Sequence, residues 1–437
     1  MVICPPAIDP ADEMSGPRAV PQDDCTGASG PQNRLMPFDD ALATGLGLAA
    51  RPVPMETVAL SDAVGRVLAG RACAGSPMPA FDHAAMDGYA VRYSDLAGPG
   101  PWTLELNGRA AAGDAPLPAD AVATGAAVRI LTGAPIPAGL DTVIMQEHAA
   151  RSGNRVTIAD RPRQGANIRL TGEDAAIGAT VVAEGTLLGV REIAALASIG
   201  EAAVDVRRKL RIAWFSSGSE LREPGEPLAP GQIHDANRYT LLAALDQPWI
   251  DRLDLGTVPD TPRALTDALI DASHRADMVV STGGVSVGDE DHMPSVFREA
   301  GGDIRAMRIA MKPGKPLAIG RMNDAVYLGL PGNPVAAFVG WLTIGAPMAR
   351  LMAGFADVRP PRHFARLAAA SSRRPGRREF RPARITGRDD NGVPRIELLG
   401  SSFSARIGLL CAADGLAVLP ADAETLDADT VVEFIWL

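Results

Sequence analysis

The chain has 437 residues, 46% hydrophobic and 22% charged. That is an ordinary globular balance, which excludes a disordered, fibrous or coiled-coil protein, and at about 100–200 residues per domain the length excludes one minimal domain. With 42 basic against 52 acidic side chains the net charge is −10, which opposes nonspecific attraction to nucleic acid or to an anionic membrane, so neither is expected as a partner.

In chain order, residues 1–31 are rich in Pro, Gly, Asp and Ser without an apolar period, the composition of a disordered tail. Phe38, Leu42 and Leu46 have helical spacing, and Val58, Leu60, Val64 and Val67 follow as a strand and short helix. Residues 32–75 are expected to join residues 161–208 in an N-terminal linking domain. The latter stretch contains a helix at 185–200, with Leu188, Ile193 and Leu196 on one side, and a strand at 203–206. Between the two halves, residues 76–160 show short alternating segments at 102–106, 127–130 and 142–146 separated by Gly and Pro, a β-rich inserted domain.

Residues 209–356 alternate strands and helices, the pattern of a mostly parallel sheet covered on both faces. The strands are expected at 211–215, 253–255 and 277–281. Asp235 caps one helix, and Thr261-Pro262 opens another with cap and first-position proline in the preferred order. The uncharged stretch 325–349 has the length of a membrane span, but Pro331, Gly332, Asn333 and Pro334 break it into a buried strand, a turn and a core helix. Residues 357–437, with strands at 395–399, 416–419 and 431–435 and no long helix, read as a small β-barrel-like domain. The fold class is therefore multidomain α/β.

Cys4, Cys25, Cys73 and Cys411 lack C-x-x-C spacing, and no basic-then-apolar leader opens the chain. Neither a zinc site nor a disulfide framework is expected, and a cytoplasmic location is.

Five loops carry chemistry. The strand ending at Ser281 runs into Gly283, Gly284, Ser286, Gly288 and the acids Asp289, Glu290 and Asp291. Glycines after a parallel strand let main-chain N–H groups approach an anion, and acids at the same edge suit a hard cation such as Mg²⁺ bridging to a phosphate; a solvated turn is the plain alternative. Glu220 follows the first strand and Asp260 precedes Thr261, so in a parallel sheet Glu220, Asp260 and Asp291 share one rim, although Asp260 taken singly reads better as a helix-start acid favoured by the dipole. Two of only three lysines, Lys312 and Lys315, fall within Met311-Lys312-Pro313-Gly314-Lys315-Pro316 in a chain that otherwise uses arginine. Compact ammonium groups in such a turn suit phosphate or oxyanion ligands. Pro331, Gly332, Asn333 and Pro334 form a stiff turn opening a helix. The nine arginines from 362 to 388 read as a solvated face, with an anion-binding edge as the alternative.

Taken together, the ordered set Phe81-Asp82-His83-Ala84-Ala85-Met86-Asp87-Gly88-Tyr89, Thr132-Gly133-Ala134-Pro135, Gly172-Glu173-Asp174, Gly283-Gly284-Val285-Ser286-Val287-Gly288-Asp289, Lys312-Pro313-Gly314-Lys315 and Gly332-Asn333-Pro334 resembles the molybdopterin molybdenumtransferase family, gephyrin's C-terminal part included. The resemblance runs from about residue 36 to the C-terminus. It implies a homodimer whose central α/β domain binds molybdopterin, and insertion of molybdate into adenylylated molybdopterin with Mg²⁺ and release of AMP. By motif position it implies Glu220, Asp260 and Asp291 around metal and phosphates, Gly283, Gly284, Ser286, Gly288, Asp289 and residues 331–334 in the ligand cradle, and Lys312 and Lys315 around anionic substrate. Asp87 and Thr132 would reach in from the partner protomer. Further partners implied are the molybdopterin adenylyltransferase and recipient molybdoenzymes. Departures from the family pattern fall at Ser217 and Ser219, which replace a threonine and an aspartate, and at Ala84, Pro294 and Asp414. Ser219 and Pro294 motivate a competing reading as a noncatalytic molybdopterin-binding scaffold; the likeness of the α/β domain to adenylyltransferases motivates another, molybdopterin adenylylation.

Overall fold

In the structure, a computed structural model that describes residues 35–285, 293–400 and 405–437, helix α1 (Phe38–Leu48) buries Phe38, Ala41, Leu42 and Gly45. These residues lie three and four apart and so share one face. Strand β1 (Met55–Ala59) follows. The tail at 1–31 and the candidate residues Ser286, Gly288, Asp289 and Asp291 lie outside the described residues.

A six-stranded sheet comes next, formed by β2 (Gly88–Val91), β3 (Trp102–Ala110), β4 (Ala126–Ile130), β5 (Thr142–Met145), β6 (Ala149–Ser152) and β7 (Arg155–Ile158) in the order β5-β2-β4-β3-β7-β6. Only β3 and β4 are parallel. Alternate residues feed two cores: Ala90, Val128 and Val143 belong to one, Tyr89, Ala127 and Ile144 to the other, as the two-residue period of a strand requires. The chain then returns through α2 (Val190–Ser198) to β8 (Ala203–Arg207), which pairs antiparallel with β1, Met55 opposite Arg207. Leu68, Leu188, Leu196 and Val206 pack beneath that pair.

The central sheet contains β9 (Leu210–Ser217), β10 (Ile250–Val258), β11 (Met278–Thr282), β12 (Asp303–Ala306), β14 (Ala318–Met322) and β15 (Ala325–Leu330) in the order β10-β9-β11-β15-β14-β12. The first four are parallel, and β14 and β12 complete the sheet antiparallel. Helices cover both faces. Ile212 and Trp214 of β9 face the core shared with α1, α3 (Ala236–Ala244) and the helical run 334–352, whereas Ala213 and Phe215 face α4 (Pro262–Arg275) and α5 (Met293–Glu299). Asp235 caps α3 through Arg238 N, and Thr261 caps α4 through Ala264 N. The run Pro334–Met352 has the length and apolarity of a membrane span, yet most of it is buried inside the protein, which is what a core helix beside a fully covered sheet must be.

The C-terminal strands β16 (His363–Leu367), β17 (Arg378–Arg388), β18 (Pro394–Leu398), β19 (Gly415–Leu419) and β20 (Val431–Trp436) run β17-β18-β16-β20-β19, and β19 pairs again with β17. The pairing closes a five-strand barrel around Leu367, Ile396, Leu419 and Phe434. One more strand joins it from outside: β13 (Met311–Lys312) runs parallel to β17, Lys312 opposite Glu379.

Candidate active site

The parallel strands β9, β11 and β15 end side by side, with Ser216 opposite Thr282 and Thr282 opposite Leu330. The loops after them are therefore brought to one edge, where ligands of open α/β sheets bind. They enclose a cleft of about 420 Å³ lined by Glu220, Asp260, Gly283, Gly284, Gly332 and Asn333 among others. Of the sequence candidates, the structure thus gathers Glu220, Asp260, both described glycines of the second loop and most of the third-loop turn.

Close main-chain packing explains Gly283. Gly283 has φ +91°, and a Cβ there would lie 2.3 Å from the Ser217 carbonyl oxygen. Its N–H donates to Leu330 O at 3.1 Å. Asn237, in the first turn of α3, donates its side-chain N–H to Gly332 O at 2.8 Å and fixes the third loop from outside the sheet. The Glu220 carboxylate folds back over Gly218, where an added Cβ would stand 2.6 Å from Oε2. Ser217 Oγ, Asn237 Oδ1 and Asn333 Oδ1 are buried without a hydrogen-bond partner among the described residues. Orphaned oxygens of this kind are costly, and together with two carboxylates they give the cleft the character of an oxygen-rich receptor for cations and N–H donors.

No group of three or more metal-ligating side chains comes together among the described residues, and Asp291 lies outside them. Glu220 and Asp260 remain as a pair on one cleft. Such a pair fits Mg²⁺, which uses one or two carboxylates together with substrate phosphates and waters rather than a closed protein cage.

The lysines sit elsewhere. Neither Lys312 nor Lys315 lines the cleft with Glu220 and Asp260, although the adjoining Pro316 does. Lys312 Nζ lies 3.4 Å from Glu379 Oε1. Glu379 is 1% exposed and also accepts from Arg373 Nε at 3.0 Å and Arg381 Nε at 2.7 Å. Burial pushes its carboxyl upward, but the charges of Arg381 and Lys312 and the bonds from Arg381 and Arg373 outweigh that and hold it below the ordinary glutamate range. Two arginines of the dense 362–388 stretch are therefore buried ligands of a carboxylate, where a solvated face is the sequence expectation. Glu379 and Asn237 are absent from the sequence candidates. Glu379 does leave a trace, as the single acid among those nine arginines.

Asp87 and Thr132 meet in the β-rich sheet. Gly88 pairs with Ile130 across β2 and β4, which brings the flanking residues together, and Asp87 Oδ1 accepts from both Thr132 N and Thr132 Oγ1 at 2.8 Å. These bonds, the main-chain one first, hold the Asp87 carboxyl below the usual aspartate range.

A mostly parallel sheet with an oxygen-rich cleft at its carboxyl edge, joined to a β-rich sheet and a closed five-strand barrel, defines a multidomain α/β protein whose candidate site lies where the parallel strands end. The chain belongs to the molybdopterin molybdenumtransferase family, whose members serve molybdenum cofactor biosynthesis. It matches the MoeA N-terminal region (domain I and II) over residues 36–200, the probable molybdopterin binding domain over residues 213–350 and the MoeA C-terminal region (domain IV) over residues 365–437. A molybdopterin molybdenumtransferase of Haemophilus influenzae is 37% identical over 348 residues, covering 79% of this chain and 85% of that protein. One of Nostoc is 39% identical over 307 residues, covering 69% and 70%. The crystal structure of the molybdopterin biosynthesis MoeA protein from Pyrococcus horikoshii superposes with a TM-score of 0.78 at 27% identity, over 92% of this chain and all of that one.

Proposed function

We propose that this enzyme inserts molybdate into adenylylated molybdopterin and releases AMP, with Mg²⁺ as cofactor, as a cytoplasmic homodimer. The observation that carries the reading is the cleft: Glu220 and Asp260, from loops after two different strands, line it together with the glycine turns at 283–284 and 332–333. Glu220, Asp260 and, from the same rim in sequence, Asp291 would hold the ion against the substrate phosphates, where it supplies Lewis-acid polarisation when bound. The turns containing Gly283, Gly284, Ser286, Gly288 and Asp289, and that of residues 331–334, would seat the ligand against main-chain N–H groups. Lys312 and Lys315 would bind the anionic substrates, which together carry several negative charges and need compact cations. Asp87, held ionised by Thr132, would contribute from the partner protomer. Molybdate and adenylylated molybdopterin are the substrates, the latter handed over by an adenylyltransferase, and the product passes to recipient molybdoenzymes.

The test is purified protein given adenylylated molybdopterin and molybdate with and without Mg²⁺, with AMP followed by chromatography. AMP release that needs both Mg²⁺ and molybdate, and that is lost in Asp260→Ala with the fold retained, supports the reading. Tight binding of the adenylylated pterin with no AMP released under any of these conditions overturns it.

A further inference from the structure

We infer that Glu379 is a positioning residue for this reaction: from inside the C-terminal barrel, its clamped carboxylate fixes where Lys312 presents its ammonium group. The inference rests on the reading of Lys312 as a substrate-binding cation.

The geometry starts with the main chain. Met311 and Lys312 form an edge strand on the barrel, opposite Arg378 and Glu379 in parallel register, and Arg378 N donates to Ala310 O at 2.9 Å. Successive side chains of a strand alternate in direction, so paired residues of neighbouring strands project to the same face. Lys312 and Glu379 therefore emerge together, and Nζ reaches Oε1 at 3.4 Å.

Glu379 itself has almost no freedom. Arg373, 2% exposed at its side chain, donates Nε to Oε2 at 3.0 Å and is in turn anchored by its other nitrogens to the carbonyls of Pro420, Ala423 and Arg377. Arg381 holds Oε1 through Nε at 2.7 Å. A lysine on a flexible four-carbon stem, by contrast, is a point charge with little orientation of its own. A rigid carboxylate beside it removes that freedom before substrate arrives, the preorganisation that makes an electrostatic contact effective. The barrel carboxylate thus serves a loop that re-enters the cleft at Pro316.

With only three lysines in the chain, the full-length protein labelled at lysine side chains can be read by NMR. Glu379→Gln should shift and broaden the Lys312 side-chain resonance, identified by its loss in Lys312→Met, and leave that of Lys209 in place. In steady state Glu379→Gln should raise KM for molybdate or the adenylylated pterin on the order of tenfold, as loss of an orienting partner does at metal sites, with a smaller effect on kcat. Glu379→Asp, which keeps the buried charge for Arg373 and Arg381, should recover part of the loss, and it carries the test if the glutamine variant does not fold. In a Lys312→Met background the Glu379 substitution should add nothing. Impaired turnover in Lys312→Met with an independent, additive loss from Glu379→Gln or Glu379→Asp overturns the positioning role alone. Unchanged turnover in Lys312→Met overturns the reading of the lysine and this inference with it.

Discussion

Gly283→Ala tests whether the cleft depends on main-chain contact between its loops. Two costs arise at this position. An L-residue in the left-handed region costs about 1–2 kcal/mol, and φ at Gly283 is +91°. The new methyl would also stand 2.3 Å from the Ser217 carbonyl oxygen, and restoring ordinary contact takes a backbone shift of roughly 1 Å, an overpacking cost of about 1–3 kcal/mol. The total is about 2–5 kcal/mol. Gly284→Ala is the control, because its φ is +63° while the nearest atom to an added Cβ, Met293 Cβ, lies at 3.5 Å. It should lose only the conformational part, about 1–2 kcal/mol. Urea unfolding of the three proteins measures both values, and equal destabilisation by the two substitutions would refute the claim that the first and second loops are in contact through Gly283. Since the shift also pulls at the Gly283 N to Leu330 O bond, the alanine at 283 should weaken binding of adenylylated pterin more than the alanine at 284.

Three further expectations follow from individual side chains. Thr132→Val removes the hydroxyl donor to Asp87 Oδ1 but keeps the main-chain one, so the Asp87 carboxyl should titrate higher than in the wild type yet still below an ordinary aspartate; an unmoved NMR titration would contradict the assigned cause. Lys312→Arg keeps the charge but swaps a compact ammonium for a broad planar group, and turnover should fall, whereas an unchanged rate would make the scarcity of lysine a matter of composition only. The folded Glu379 titrates below its unfolded value of about 4.3. Its stabilisation is therefore fully present above that value and lost as pH falls through the folded one. Stability measured between pH 5 and 2 should decline less steeply in Glu379→Gln, and parallel curves would show that the pair does not control the acid limb.

The parallel part of the central sheet was legible because its strands are buried on both faces and its helices announce themselves through Asp235 and Thr261, whereas the antiparallel strands β12 and β14 and helix α5 were not among the expected elements. Strand β10 was legible only in part, at residues 253–255. It is an edge strand, and the exposed Asp251, Arg252 and Asp254 hide its full course from a hydrophobicity pattern. Glu220 and Asp260 could be assigned to one rim because parallel topology dictates where strand ends lie. The partner of Lys312 could not, because a pairing between an outlying strand and a barrel is a tertiary event with no local spacing to betray it. The same holds for Asn237, whose amide reaches Gly332 from a helix remote in sequence. The arginine-rich stretch misled for a related reason: Arg373 and Arg381 are paired in the interior with a carboxylate six and two residues away, respectively, and charge density alone does not distinguish an inward-facing guanidinium from a solvated one.

Because Met311 and Lys312 belong to one domain by chain continuity and to the barrel by hydrogen bonding, the lysine turn is a seam rather than an interior loop. Truncation after Phe355 would preserve every strand of the α/β sheet and still remove the barrel strand to which the turn is hydrogen-bonded. An isolated α/β module should therefore retain the glycine-lined cleft while losing the geometry of its neighbouring cations, and grafting the domain into another protein would have to carry Arg373, Glu379 and Arg381 along with it.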